Sequence, residues 1–305
     1  MRLFFLFTLI LASASVSATD SAGISKTEII YGRKDGMALT MMMLKPIQKA
    51  NGKAIICVLS GNWVSAPRMM DMFVQKSGHY LERGYTLFGV MVGSQPQYAI
   101  PDQVTDLKRA VRFIRYHAKE YLIDAEKIGI TGSSSGGHLS LMIATADESV
   151  NKKSNDPVDK VSSRVQAAAV FYPPTDFINY GGPNPTETIN QAGLVLTGTA
   201  AAFDFKKWND TTRTYVSITD IKKRLEIAKQ VSPINTVSPD DPPVMIIHGD
   251  KDIVVPRQQS ESIIARFKEA KVTCSLIIKE GGGHGWRNRE VEEMNFLNWF
   301  DTHLK

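Results

Sequence analysis

The sequence predicts an α/β domain: a mostly parallel sheet opened by an N-terminal hairpin, with helices on both faces and one long insertion. Three features of the 305-residue chain point to it. Continuous apolar runs at 54–59, 86–92, 128–130, 165–172, 244–247 and 274–278 suit strands buried on both faces, as in parallel sheets. Apolar residues at helical spacing fill several of the gaps between those runs. Strand and helix alternate through most of the chain, which a parallel sheet with crossover helices satisfies.

In order, residues 28–31 and 39–44 read as two short strands, and Asp35-Gly36 between them is a hairpin turn signal. The strand at 54–59 empties into Ser60-Gly61-Asn62-Trp63. After the strand at 86–92, Val104, Leu107, Val111, Ile114 and Ala118 recur at steps of three and four. That spacing is an amphipathic helix, with Lys108, Arg109, Arg112 and Arg115 on its wet side and Asp102 at its start. Residues 149–163 are polar and loop-like, and Pro173-Pro174 stops the next strand. Residues 176–242 break the alternation and read as a cap or lid insertion, with a loop at 181–185, apolar patches at 194–196 and 203–208, and a helix around Ile221, Leu225 and Ala228. The alternation then resumes with a helix at 258–270 and ends on an amphipathic helix carrying Val291, Met294, Leu297, Phe300 and Leu304.

Residues 1–18 read as a secretory signal peptide: Arg2, a compact apolar core, then Val16-Ser17-Ala18 as a cleavage site. The apolar run is too short to cross a bilayer, and no other stretch is long and apolar enough to span one. The expectation is a single domain over 19–305, secreted or periplasmic. The net charge of +5 is spread along the chain, without a basic block suited to nucleic acid. Composition and spacing leave the oligomeric state open. Cys57 and Cys274 sit in strand-like runs and are expected as two buried free thiols, although an exported protein offers the chance to pair them. Neither belongs to a metal-binding spacing.

The chemistry gathers around residues 127–139. The strand at 128–130 runs into Gly132-Ser133-Ser134-Ser135-Gly136, and a helical pattern of Leu139, Ile143 and Ala146 follows. That is the strand-turn-helix setting of a nucleophile elbow, with Ser134 at its apex. A serine hydroxyl needs a base to take its proton and an acid to orient that base. On this topology acid and base follow the serine in that order, each after a later strand. Of the six histidines, only His284 sits on the loop directly after the last strand, the Gly-rich 281–285, and His303 is at the tail of a surface helix. His248 ends a buried strand, where a structural hydrogen bond is expected. Asp250 and Asp252 compete for the acid. Asp252 lies further out on the loop and is preferred. The oxyanion hole requires backbone N–H groups, one from Ser135 and one from Gly61 or Asn62. Trp63 and Trp286 are candidates to flank the substrate, and each also suits core packing.

Gly132-Ser133-Ser134-Ser135-Gly136-Gly137-His138-Leu139, His248-Gly249-Asp250-Lys251-Asp252 with Val255-Pro256, and Gly283-His284-Gly285-Trp286 resemble the α/β-hydrolase superfamily. Within it they are similar to the secreted carboxylesterase branch of acetyl xylan, feruloyl and hormone-sensitive-lipase-like esterases. Residues 31–36 and 172–176 look like the same branch. The resemblance covers nearly all of the chain after residue 18. It implies an α/β-hydrolase fold and a serine esterase that works through an acyl-enzyme on short acyl esters, including those on polysaccharides, without a cofactor. The branch carries His-Gly-Gly-Gly-Trp at the oxyanion loop. Ser60-Gly61-Asn62-Trp63 is shorter and lacks that His, so the expected hole is less preorganised, with Trp63 crowding the acyl side. Two rivals share the fold: a prolyl-oligopeptidase-like peptidase, for whose propeller domain this chain leaves no room, and a catalytically silent binding protein, which commonly lacks a triad residue.

Overall fold

The computed structural model describes residues 16–19, 23–146, 150–181 and 198–305. The patch at 194–196, most of the loop at 181–185 and residues 1–15 of the expected leader lie outside them. An edge strand β1 (Val16–Thr19) pairs antiparallel with β2 (Ile24–Lys34), and β2 with β3 (Met37–Pro46). The hairpin turns at Asp35 (φ 47°) and Gly36 (φ 81°). Two consecutive positive φ angles are what a two-residue hairpin turn needs, and Asp-Gly supplies them at low cost.

The rest of the sheet is β4 (Ala54–Val58), β5 (Thr86–Val90), β6 (Ile128–Ser133), β7 (Ala167–Phe171), β10 (Val244–Gly249) and β11 (Cys274–Lys279). A separate two-stranded hairpin, β8 (Lys206–Asn209) with β9 (Thr214–Ser217), stands outside it. The main sheet runs β1-β2-β3-β5-β4-β6-β7-β10-β11, parallel from β5 onward. This is the α/β-hydrolase fold expected above.

Successive side chains of a strand face opposite sides of the sheet, and here each side has its own core. Ile56, Phe88, Ile130, Val170 and Ile246 pack with α3 (Ile100–Tyr116), α5 (Ser135–Ala144) and α7 (Gln258–Glu269). Ile55, Leu87, Ala169, Phe171 and Ile247 pack with α1 (Pro67–Lys76), α2 (Gly78–Glu82) and α8 (Glu290–His303). A short α4 (Ala118–Tyr121) follows α3, and α6 (Ile221–Gln230) lies in the insertion.

Several elements differ from expectation for identifiable reasons. Arg115 is not on a wet face: it is 8 % exposed, and its guanidinium donates to the carbonyls of Ala125, Ser162 and Arg164. A guanidinium that satisfies buried carbonyls can take a core position that periodicity assigns to solvent. In the insertion, Phe203 and Phe205 are buried, whereas Trp208 is 49 % exposed and meets Tyr215 across the β8–β9 hairpin with ring centroids 5.3 Å apart. Cys57 and Cys274 are free but half-buried. Cys57 opens onto a cavity beside α1, and Cys274 is on the edge strand. Four strand steps separate β4 from β11, about 19 Å at about 4.8 Å each, far beyond disulfide reach.

Candidate active site

The site lies at the carboxyl ends of β6, β10 and β11. Ser134 terminates β6 with φ 54° and ψ −121°, and α5 begins at the next residue. A non-glycine residue in that region is strained by about 1–3 kcal/mol and must be held by its surroundings. Ser134 N–H donates to the Phe171 carbonyl (3.0 Å), and the Ser134 carbonyl accepts from His138 N–H (2.8 Å). The turn is so tight that a Cβ on Gly132 would sit 2.4 Å from the Gly136 carbonyl oxygen, and one on Gly136 would sit 2.6 Å from that of Val58. Strand and helix meet backbone to backbone there, which is why only glycine is accommodated.

The structure brings Ser134, His284 and Asp252 into one hydrogen-bonded line. Ser134 Oγ donates to His284 Nε2 at 2.9 Å, and His284 Nδ1 donates to Asp252 Oδ2 at 2.8 Å. The Asp252 side chain is wholly buried, and that of His284 is 22 % exposed. Asp252 Oδ1 accepts the N–H groups of Val254 and Val255, each at 2.9 Å. Burial alone would raise the Asp252 carboxyl. The nearby His248 and the hydrogen bonds from His284 and Val255 outweigh it and hold the group well below the usual carboxylate range. Asp250 is not brought to His284; its nearest cation is Lys251 at 3.9 Å.

The oxyanion loop corrects one expectation. Gly61 and Val64 exchange both backbone hydrogen bonds, Gly61 N–H to Val64 O at 3.0 Å and Val64 N–H to Gly61 O at 2.9 Å. The Gly61 N–H is therefore spent inside the turn and is not an oxyanion donor. Asn62 (φ 52°) and Trp63 (φ 57°) are the two central residues of this turn. Because a trans peptide points its C=O and N–H in opposite directions, the Gly61 carbonyl facing into the turn sends the Asn62 N–H outward. Ser135 N–H is the first of α5 and has no acceptor within that helix. Two glutamines clamp the loop. Gln95 Nε2 donates to the carbonyls of Asn62 and Gly198, both at 2.7 Å, and Gln103 Nε2 donates to the Trp63 carbonyl at 2.9 Å.

Both tryptophans make aromatic contacts near the site. Trp63 is 6 % exposed and packs edge-on against His138, Phe177 and Phe203. Its indole N–H donates to His138 Nδ1 (3.2 Å), while His138 Nε2 donates to the Val231 carbonyl (2.7 Å). Burial pushes the His138 imidazole down to about 4, so it stays neutral, as this tautomer requires. Trp63 has a left-handed backbone, and its ring is turned into the core. Trp286 packs against Phe171 and Tyr172 and lines a cavity beside α2.

Tyr172 is a contact that sequence reading missed. Its ring lies 4.7 Å from that of His284, and its hydroxyl accepts from Arg289 at 3.1 Å. Its position after β7, next to β10 in the sheet, is a signal visible only once strand order is known. A cavity of about 280 Å³ opens beside the elbow, walled by Ser60, Ser133 and Tyr172 on one side and by Met69, Met72 and Phe73 of α1 on the other.

Known proteins resemble this chain in sequence and in fold. The BD-FAE family model matches residues 41–267. The probable carboxylic ester hydrolase LipM of Mycobacterium tuberculosis is 26% identical over 63% of this chain and 39% of its own length. Esterase LipC of the same organism is 22% identical over 86% of this chain and 60% of its own. The chain thus spans about half the length of the curated relatives it matches. Among solved structures, a truncated carbohydrate esterase from gut microbiota superposes with a TM-score of 0.68 at 24% identity, covering 96% of both chains, which establishes the shared fold.

Proposed function

The chain belongs to the BD-FAE family, and from that premise we propose that it is a serine hydrolase cleaving carboxylic esters through an acyl-enzyme. The observation that carries the reading is the unbroken line Asp252–His284–Ser134, at 2.8 and 2.9 Å. Ser134 Oγ attacks the ester carbonyl as its proton passes to His284 Nε2. Asp252 fixes the imidazole tautomer through Nδ1–H and stabilises the imidazolium. The tetrahedral oxyanion takes hydrogen bonds from the Ser135 N–H, favoured by the α5 dipole, and from the Asn62 N–H. His284 then gives its proton to the alcohol oxygen, the C–O bond breaks, and the acyl group stays on Ser134. A water deprotonated by His284 attacks the acyl carbonyl, releasing the acid and restoring the Ser134 hydroxyl. None of these steps calls on a cofactor.

Short acyl esters, including those carried by polysaccharides, are the proposed substrates; a carbohydrate esterase among the structural neighbours favours this class. Export is also proposed, with residues 1–18 removed as a signal peptide. The test is released acid measured across acetylated and feruloylated glycans and short nitrophenyl esters, with the Ser134→Ala protein alongside. Activity in the wild type alone supports the reading. Equal turnover by both proteins would remove it.

A further inference from the structure

Asp252 is approached by a second histidine. His248 closes β10 and is fully buried. Its Nε2 lies 2.9 Å from the Val255 carbonyl and 3.4 Å from Asp252 Oδ2, the same oxygen that receives His284. A carbonyl can only accept, so Nε2 carries the proton and faces both oxygens. On its other side, Nδ1 lies 2.6 Å from the hydroxyl of Ser260 in α7, which is also fully buried. A neutral ring with its proton on Nε2 must accept at Nδ1, so Ser260 donates. The chain of contacts runs Ser260, His248, Asp252, His284, Ser134.

We infer that His248, locked in tautomer by Ser260, is a positioning residue for the reaction: it holds Asp252 Oδ2 in place and shares the charge that the carboxylate presents to His284. This rests on the serine hydrolase reading. The physical case lies in how the carboxylate is held. Oδ1 is already filled by two backbone N–H groups. The Asp252 side chain is wholly buried, and among the described residues His248 is the second imidazole that faces Oδ2, at 3.4 Å against 2.8 Å for His284. The other titratable groups facing this cluster are Tyr172, whose ring lies 6.4 Å from that of His248, and Tyr180, whose hydroxyl donates to the Val254 carbonyl (2.8 Å). Removing His248 takes away the N–H that binds the Val255 carbonyl and faces Asp252 Oδ2 at 3.4 Å. The carboxylate then grips the protonated form of His284 more tightly and is free to rotate away from its neutral form.

The test is the pH profile of kcat/KM and the values of kcat and KM for wild type, His248→Phe, His248→Gln and Ser260→Ala on a short nitrophenyl ester. Active sites are counted by phosphonate titration, so that misfolded protein is excluded. His248→Phe should lose about 10- to 100-fold in kcat with little change in KM, as expected when a supporting group lets a catalytic group shift. Its acid limb should move to higher pH. His248→Gln keeps an N–H near the same place and should recover much of both effects. Ser260→Ala should show a smaller change in the same direction, and it stands in if His248→Phe does not fold. Active wild type with unchanged kcat per titrated site and an unmoved acid limb in all three variants would overturn the inference while leaving the hydrolase reading intact. A wild type inactive on every ester would sink the reading and the inference together.

Discussion

Ser134 Oγ and His284 Nε2 lie 2.9 Å apart although 150 positions separate them in the chain. Their meeting follows from strand order, since β6 and β11 are three steps apart and both residues lie just beyond the carboxyl ends of these parallel strands. Asp252, from the loop after β10, closes the gap. Asp252→Asn should lower kcat by about 10³- to 10⁴-fold, because an amide facing Nδ1 favours the wrong imidazole tautomer. Asp250→Asn should cost far less, and steady-state kinetics on a nitrophenyl acetate ranks the two. The reverse order would move the acid role to Asp250. The same variant reports on stability. The Asp252 carboxyl is depressed in the fold, so its contribution is present above its unfolded value of about 3.9 and is lost as pH falls through the folded value. Unfolding free energy should therefore depend less on pH below about 4 in Asp252→Asn than in the wild type.

Gly132→Ala should damage the elbow. Its new methyl would sit 2.4 Å from a backbone oxygen of α5, and no side chain rotation relieves that contact. A loss of about 1–3 kcal/mol of stability is expected, with a fall in kcat as Ser134 is displaced. Thermal melting and turnover measured together check it, and wild-type values for both would contradict the close approach.

Gln95→Ala should loosen the oxyanion loop, since its amide holds the carbonyls of Asn62 and Gly198. The expected fall in kcat is about tenfold, below the 10²–10³ that follows outright loss of a donor. Esters with poor leaving groups should suffer more than nitrophenyl esters, whose transition states need less stabilisation. Equal losses on both would separate Gln95 from the hole.

The elbow, the buried strands and the loop carrying His284 were legible because each is local: a glycine pattern, an apolar run, a position after the last strand. What was not legible depends on contacts between distant segments. Trp63 reads as a site residue by its place after β4, yet its left-handed backbone turns it onto His138 and Phe203. Gly61 and Asn62 read as alternative oxyanion donors, and only the bond to Val64 removes Gly61. Arg115 falls on the charged stripe of α3, and the carbonyls that draw it inward belong to residues 125, 162 and 164. Helices α1 and α2 went unread because their apolar residues, Phe73, Tyr80 and Leu81 among them, are few and split across two short segments.

Cleavage after Ala18 would remove all of β1 except Thr19. Mature protein recovered from its native host should begin at Thr19. Because β1 is an edge strand paired only with β2, a chain starting there should melt within a few degrees of the full-length form. Intact Met1 on the exported product would contradict the leader assignment.

The central claim is that Ser134 becomes covalently acylated. A fluorophosphonate reacts with an activated serine in place of the ester, and peptide mass spectrometry locates the adduct. The prediction is one equivalent, on Ser134 rather than Ser133 or Ser135, abolished in Ser134→Ala and strongly slowed in His284→Ala. An adduct on another serine, or a Ser134→Ala protein retaining more than about a hundredth of wild-type turnover, would contradict it.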